Sequence, residues 1–295
     1  MNIVDIADVL TLDNENYSSY TYNEIFDNIA DTLLNKSILC INRTNYRICE
    51  IEFYLLCDDH NDVYVHGDEH QTSICKWYFH RHNSGTYKNG TFKGLDLTFG
   101  FSKRNNYYGG ILIRSIQNLK SKKITEGPCN VVTHVLKLCN VKNILEFINK
   151  EHKLQENTEI PLSANKDNSL LKIIPSNKRM TNNNIFTAPR VGLGFDNSDD
   201  NKLIYIMKNY RYIIHPNKIM KNIFGLIVKL YADGKDTSEI SKQTLIKKKK
   251  IDKYAEHYDN SPETDIKKIT KITKNRNMPI AKQINIQKLC YQLYR

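Results

Sequence analysis

The 295-residue chain is 40% hydrophobic and 25% charged, the balance of a globular protein, and is long enough for one large domain or two smaller ones. No run approaches the ~18 apolar residues of a membrane helix, and the opening MNIVDIADVL lacks the basic and apolar regions of a secretory signal. Seven cysteines without a C-x-x-C pair argue against a disulfide framework and for a reducing compartment.

Charge is unevenly spread. The net charge is +11, and Pro216–Arg295 holds 18 Lys plus Arg against 8 Asp plus Glu, so the first 215 residues are nearly neutral. A basic tail on a neutral body is an electrostatic footprint for nucleic acid, because lysine and arginine displace the counterions condensed on phosphates. The plainer reading is a solvated lysine-rich helix. Abundant Asn, Lys and Ile fit an A·T-rich genome, that of a virus included, and the expected setting is intracellular, nuclear or cytoplasmic.

Tyr22–Lys36 carries Ile25, Ile29, Leu33 and Leu34 at helical spacing and predicts an amphipathic helix. SILCI (Ser37–Ile41) reads as a short strand, and NRTN turns the chain into RICEIEFY (Arg47–Tyr54), its hairpin partner. RICEIEFY alternates with period two: Cys49, Ile51 and Phe53 share one face, and Ile48, Glu50, Glu52 and Tyr54 the other. Glutamate is depleted in strands, so two on one face ask for a reason. They mark either a wet edge or a carboxylate held in a pocket beside an aromatic platform. Leu55–Gln71 reads as a loop rich in Asp and His, followed by strands at KWYFHR (Lys76–Arg81), TFKGLDLTFGF (Thr91–Phe101) and ILIRSI (Ile111–Ile116). Gly127–Leu138 reads as a helix started by Gly127-Pro128, and VKNILEFINKEHK as a second. Leu154–Asn184 reads as loops around the strand LLKII. TAPRVGLG and LIYIMKNYRYII (Leu203–Ile214) close the β portion, and helix and linker follow His215-Pro216. The fold class expected is α+β, with domains at 1–215 and 216–295.

The order of these pieces resembles the alkyladenine (3-methyladenine) DNA glycosylase family over about Tyr22–Ile214. Where that family has a helix ending in a leucine pair, a strand, a turn and a strand of the type V-E-T-E-A-Y, this chain has IADTLLNKSILCINRTNYRICEIEFY. A histidine loop follows, as VHGDEHQ; then KWYFHR, GTFKGLDLTFG and ILIRSI stand for an M-F segment, an aromatic-Gly strand pair and a V-L-I-R-A-L strand. The G-P helix start, an R-I-G-I element (RVGLG, Arg190–Gly194) and a last strand (NYRYII) complete the order. The resemblance implies a curved, mostly antiparallel sheet with flanking helices, a basic helical C-terminal extension being this chain's own, and a pocket for a flipped-out nucleotide. It implies Glu52 as the base activating water against the sugar C1′, Tyr54 and His66 as stacking partners, with His70 a competitor to His66. It further implies Phe99 as the wedge entering the duplex and Arg114 beside the target nucleotide. Asp96 stands where the family has a further pocket tyrosine; a carboxylate cannot stack, but it can bond an exocyclic amine or a sugar hydroxyl.

Other chemistry competes. His60, His66, His70, Cys75, His80 and His82 fall close together among acids, as zinc ligands do, but HGDEH is not HExxH and no pair has a recognised spacing. No metal and no cofactor is therefore expected. Arg114, inside an apolar strand, needs a partner: a structural ion pair, with Asp96 as a candidate, or a phosphate. His80 and Arg81 are candidates to touch the DNA backbone, as are Lys247, Lys248, Lys249 and Lys250, which also resemble a nuclear-localisation patch. The leading expectation is a monomeric, monofunctional DNA N-glycosylase acting on double-stranded DNA away from membranes. The alternatives are a non-catalytic nucleic-acid-binding protein on the same fold and a metal-dependent nuclease or phosphodiesterase.

Overall fold

The computed structural model describes residues 5–13, 17–155, 159–176, 179–180, 184–194, 204–261 and 279–294. The chain divides into two compact units, Met1–Asn61 with Val65–Asn184, and Asp62–Tyr64 with Ile185–Arg295. Its class is mixed α+β.

The first unit is built on an antiparallel sheet. The strands are β1 (Ser37–Ile41), β2 (Thr44–Cys57), β3 (His60–Asn61), β4 (Lys76–Phe79), β5 (Leu95–Thr98), β6 (Tyr107–Asn118), β7 (Ile124–Glu126), β8 (Leu162–Ser163) and β9 (Leu171–Pro175). They pair in the order β9-β1-β2-β6-β5-β4-β8, with β3 on β2 and β7 on β6. The two ends of this path nearly meet: Ile173 of β9 donates its amide to the carbonyl of Ala164, just past β8, at 2.7 Å, and Trp77 Nε1 of β4 donates to Leu171 O at 2.9 Å. The sheet is thus curved and almost closed, which leaves few edges to protect.

Helix α2 (Tyr22–Asn35; α1 is Ile6–Val9) forms where the periodicity predicted. Thr21 and Glu24 make a reciprocal capping box at its start, and Arg47, 3% exposed, donates to Leu34 O and Asn35 Oδ1 at its end. Its apolar stripe meets β2: Phe26 stacks on Phe53 with centroids 4.5 Å apart, and Phe99 packs edge-on to both. β2 is longer than RICEIEFY, and β6 longer than ILIRSI, so the two form the long central pair of the sheet. Two bulges interrupt that pair. Ile48 opposes Ile116, Glu50 opposes Ser115 and Ile51 opposes Ile113, leaving Cys49 and Arg114 each without an opposite residue. Helices α3 (Pro128–Leu138) and α4 (Ile144–Gln155) follow, with α3 against β6 and β7.

The second unit pairs β10 (Phe186–Ala188) with β11 (Arg211–Ile213) beside α5 (Phe224–Ala232), α6 (Thr237–Thr244), α7 (Lys248–Asp259) and α8 (Ile280–Tyr294). Ala188 and Ile213 share one core with Leu226, Ile227, Leu230 and Ile251. For that reason the division falls near residue 185 rather than at 215/216: the last hairpin buries its apolar side chains with the helices. The strand expected over Leu203–Ile214 is cut to Arg211–Ile213, since 204–206 are helical and a turn at Lys208–Tyr210 intervenes. The expected start at Leu203 lies outside the described residues.

Candidate functional site

The acidic face of β2 is not a wet edge. Glu50 and Glu52 are 1% and 0% exposed, and Arg114 from β6 lies against both, donating Nε to Glu50 Oε1 at 2.9 Å and Nη1 to Glu52 Oε2 at 3.3 Å. Tyr54 donates its hydroxyl to the same Glu52 oxygen at 3.0 Å, and Ser115 donates to Glu50 Oε2. The bulge at Arg114 explains this gathering. It breaks the alternation of β6, so neighbouring Arg114 and Ser115 both reach the carboxylates. Burial works against the guanidinium charge, but Glu52 and Glu50 more than offset it and hold Arg114 firmly cationic. The ion-pair partner of Arg114 is therefore this glutamate pair and not Asp96.

Asp96 belongs to the next group along the sheet. It is 2% exposed and accepts from His80 Nε2 at 2.8 Å. The register sets Glu52 (β2), Leu112 (β6), Asp96 (β5) and Tyr78 (β4) in one row across four neighbouring strands. Directly opposite residues share a face, so Glu52 and Asp96 point to the same side, roughly 10 Å apart at two strand spacings. Gly94 and Gly110 make room for this wall. A Cβ on Gly94 would lie 2.3 Å from the His80 ring, and one on Gly110 2.6 Å from Asp96 Oδ2.

Beyond Tyr78 the row opens into a cleft of about 630 Å³ between the 66–69 loop and the 81–88 hairpin, lined by His66, Asp68, Tyr78, Arg81, His82 and Lys88 among others. His66 stands edge-to-face with His80 at 4.5 Å, and Lys88 Nζ lies 3.5 Å from His66 Nε2. An edge of His66 is open to solvent, yet crowding by its neighbours lowers its pKa to about 4, chiefly by desolvation, with His80 next. The ring is neutral near pH 7. Lysine can only donate, so any hydrogen bond in this contact is accepted by His66 Nε2. Arg81 is bidentate to Asp68, at 2.9 and 2.8 Å, and also bonds Glu69 at 3.0 Å.

Several expected roles change. Phe99 is 0% exposed between Phe26 and Phe53, so it serves the core; a wedge has to protrude. His80 faces Asp96, and Arg81 is held by two carboxylates, so neither presents itself to a DNA backbone. His66, rather than His70, lines the cleft. Lys247, Lys248 and Lys249 are exposed at the start of α7 and Lys250 half-buried, with Lys248 paired to Asp252 at 2.7 Å. Among the described residues no group of three or more His, Cys, Asp or Glu side chains gathers as metal ligands do. Sequence reasoning missed Ser115, Tyr78 and Lys88. The alternation of KWYFHR, which sets Tyr78 and His80 on one face, was the signal for Tyr78; Lys88 had none.

The described cysteines Cys40, Cys49, Cys57, Cys75, Cys129 and Cys139 are free thiols, and among the described residues no helix is long and apolar enough to cross a membrane. No family model matches the chain. Over 223 residues it is 36% identical to Uncharacterized protein L759 of Acanthamoeba polyphaga mimivirus, a match that covers 72% of this chain and 96% of the mimivirus protein. At that identity and coverage, the chain belongs to the same family as the mimivirus protein L759.

Proposed function

We propose that this protein is a nucleic-acid base-excision hydrolase, a DNA N-glycosylase-like enzyme of alkyladenine-glycosylase type, that extrudes a nucleotide and cleaves its N-glycosidic bond. The observation that carries the reading is Glu52, a carboxylate with no solvent exposure, oriented by Arg114 and Tyr54 and tied by one cross-strand row to an open cleft. In the proposed reaction a water attacks C1′, its proton passes to Glu52, and the bonding electrons leave with the base. Arg114 holds the carboxylate in place. Tyr54 is half-buried and caps Glu52 Oε2, so a water reaches that oxygen when Tyr54 turns aside to meet the extruded base. Stacking on Tyr54 and His66, at about 1–3 kcal/mol per base, offsets much of the cost of extrusion.

The remaining parts belong to the same proposal. The lysines opening α7 oppose the helix dipole, an internal cost that makes sense when phosphates meet them. The partner is double-stranded DNA, and a nuclear or cytoplasmic, virus-encoded setting is supported by the free thiols and the mimivirus relative. The test is release of base from duplexes with single damaged bases, read as alkali-labile abasic sites. Product from the wild-type chain is expected, and its absence across the panel is the outcome against it.

A second reading, nucleic-acid binding without catalysis, draws on the burial of Phe99 and on the two donors closing Glu52 Oε2. Tight, salt-sensitive binding without product distinguishes it.

A further inference from the structure

Two cleft residues are not accounted for by the hydrolytic reading. Tyr78 is 1% exposed, and its buried hydroxyl finds no protein acceptor. The Arg81 amide faces the oxygen as a donor, but nothing accepts the hydroxyl proton. Burial, then Asp96 and Asp68, hold the hydroxyl far above the usual phenol range, so it remains a donor at any working pH. A buried polar group without a partner costs on the order of 1–3 kcal/mol, a cost that a ligand acceptor removes. Lys88 is the second. It is half-buried, forms no ion pair with a described carboxylate, and has only neutral His66 near its ammonium.

The chemistry of the walls selects the ligand. Asp68 and Glu69 are both engaged by Arg81, and Glu69 is 78% exposed, which leaves its charge screened by water. Of these four charges, Arg81 and Lys88 balance Asp68 and Glu69, so directed donors rather than net field decide what binds. Tyr78 presents almost no ring surface, so it offers a hydrogen bond rather than a stacking face. The volume of about 630 Å³ exceeds that of a bare phosphate and leaves room for the flanking sugars.

We propose that this cleft seats a phosphodiester group of the nucleic-acid strand, with the Lys88 ammonium and the Tyr78 hydroxyl donating to its oxygens and His66 steering Lys88. This rests on the nucleic-acid reading above, and its donors, Lys88 and Tyr78, are not among the expected backbone contacts His80, Arg81 and Lys247–Lys250. The two donors differ in charge, and that difference makes the proposal sharp. A lysine on a phosphate releases a counterion; a neutral hydroxyl releases none.

The experiment is fluorescence anisotropy of a labelled oligonucleotide, single-stranded and duplex, titrated with the full chain between about 50 and 200 mM KCl. Lys88→Gln is expected to weaken binding and to flatten the slope of log K against log salt by about 0.7–0.9, the contribution of one phosphate contact. Tyr78→Phe is expected to weaken binding about tenfold with the wild-type slope, the loss of one hydrogen bond to a charged acceptor. Its Tm should change little, since the hydroxyl donates to no protein acceptor and only the Arg81 amide loses a partner. Wild-type affinity and slope in both variants overturn the proposal. Displacement of the strand by an equal concentration of a free 5′-mononucleotide also overturns it, because the subsite is then one for free nucleotides. Absence of base release with these binding effects intact counts against the hydrolase alone, and the reverse pattern against the subsite alone.

Discussion

Asp96 accepts a hydrogen bond from His80 at 2.8 Å, and both side chains occupy space that two glycines leave open. A Cβ at residue 94 would overlap the imidazole, at 2.3 Å from its ring. Gly94→Ala should therefore lower stability by about 1–3 kcal/mol, the usual cost of overpacking. The same substitution in a His80→Ala background should cost much less, because the clashing ring is gone. Thermal melts of the two single variants and the double variant check this; additive losses count against it.

Among the ion pairs of the described residues, Arg114 is the cation shared by the buried side chains of Glu50 and Glu52. Arg114→Gln should destabilise the protein by about 3–5 kcal/mol, since it leaves Glu50 and Glu52 without their cation. Glu52→Gln keeps the shape and still accepts from Arg114 and Tyr54, so it should cost far less. Urea unfolding of both variants measures the difference. Equal losses, or a larger loss in Glu52→Gln, are the contrary outcome.

Much of this was legible in the sequence, and the rest was not for identifiable reasons. Helix α2 and β1 lie where periodicity put them, because a capped amphipathic stripe and a short apolar run have no competing reading. The alternation in RICEIEFY correctly separated the Phe53 face from the Glu52 face. What period two cannot show is a bulge: the one at Arg114 brought Ser115 to Glu50 and made the glutamate pair the partner of Arg114. Phe99 misled because motif order says nothing of depth, and its ring turned out to belong to the Phe26–Phe53 core. The cleft rests on contacts between the 66–69 loop and the 81–88 hairpin, and loop spacing carries no signal for those.

Phe99→Ala accordingly tests a core position. It should lose about 3–5 kcal/mol of stability, as large-to-small core changes do. Circular dichroism melts decide the matter; a native Tm with weakened DNA binding would instead restore the wedge.

His66 gives a pH dependence with a defined sign. Its folded pKa of about 4 lies below the 6.5 of the unfolded chain, so the unfolded state takes up the proton first. The contribution is fully present above about pH 6.5 and is lost as pH falls from there towards about 4. His70 and His134 are lowered in the same direction, both chiefly by burial, so the wild-type slope has more than one source. His66→Gln should flatten the loss of stability between pH 6.5 and 4 without abolishing it, measured by urea unfolding at a series of pH values. An unchanged slope contradicts the assignment.

The proposed hydrolysis stands or falls with Glu52 as its base. Its most direct measurement is single-turnover release of a damaged base from duplex DNA by the wild-type chain and by Glu52→Gln, read as alkali-labile abasic sites at matched, verified folding. Release by the wild type is expected, with a loss of about 10²–10⁴ in rate for the variant. Release by Glu52→Gln at the wild-type rate would contradict it.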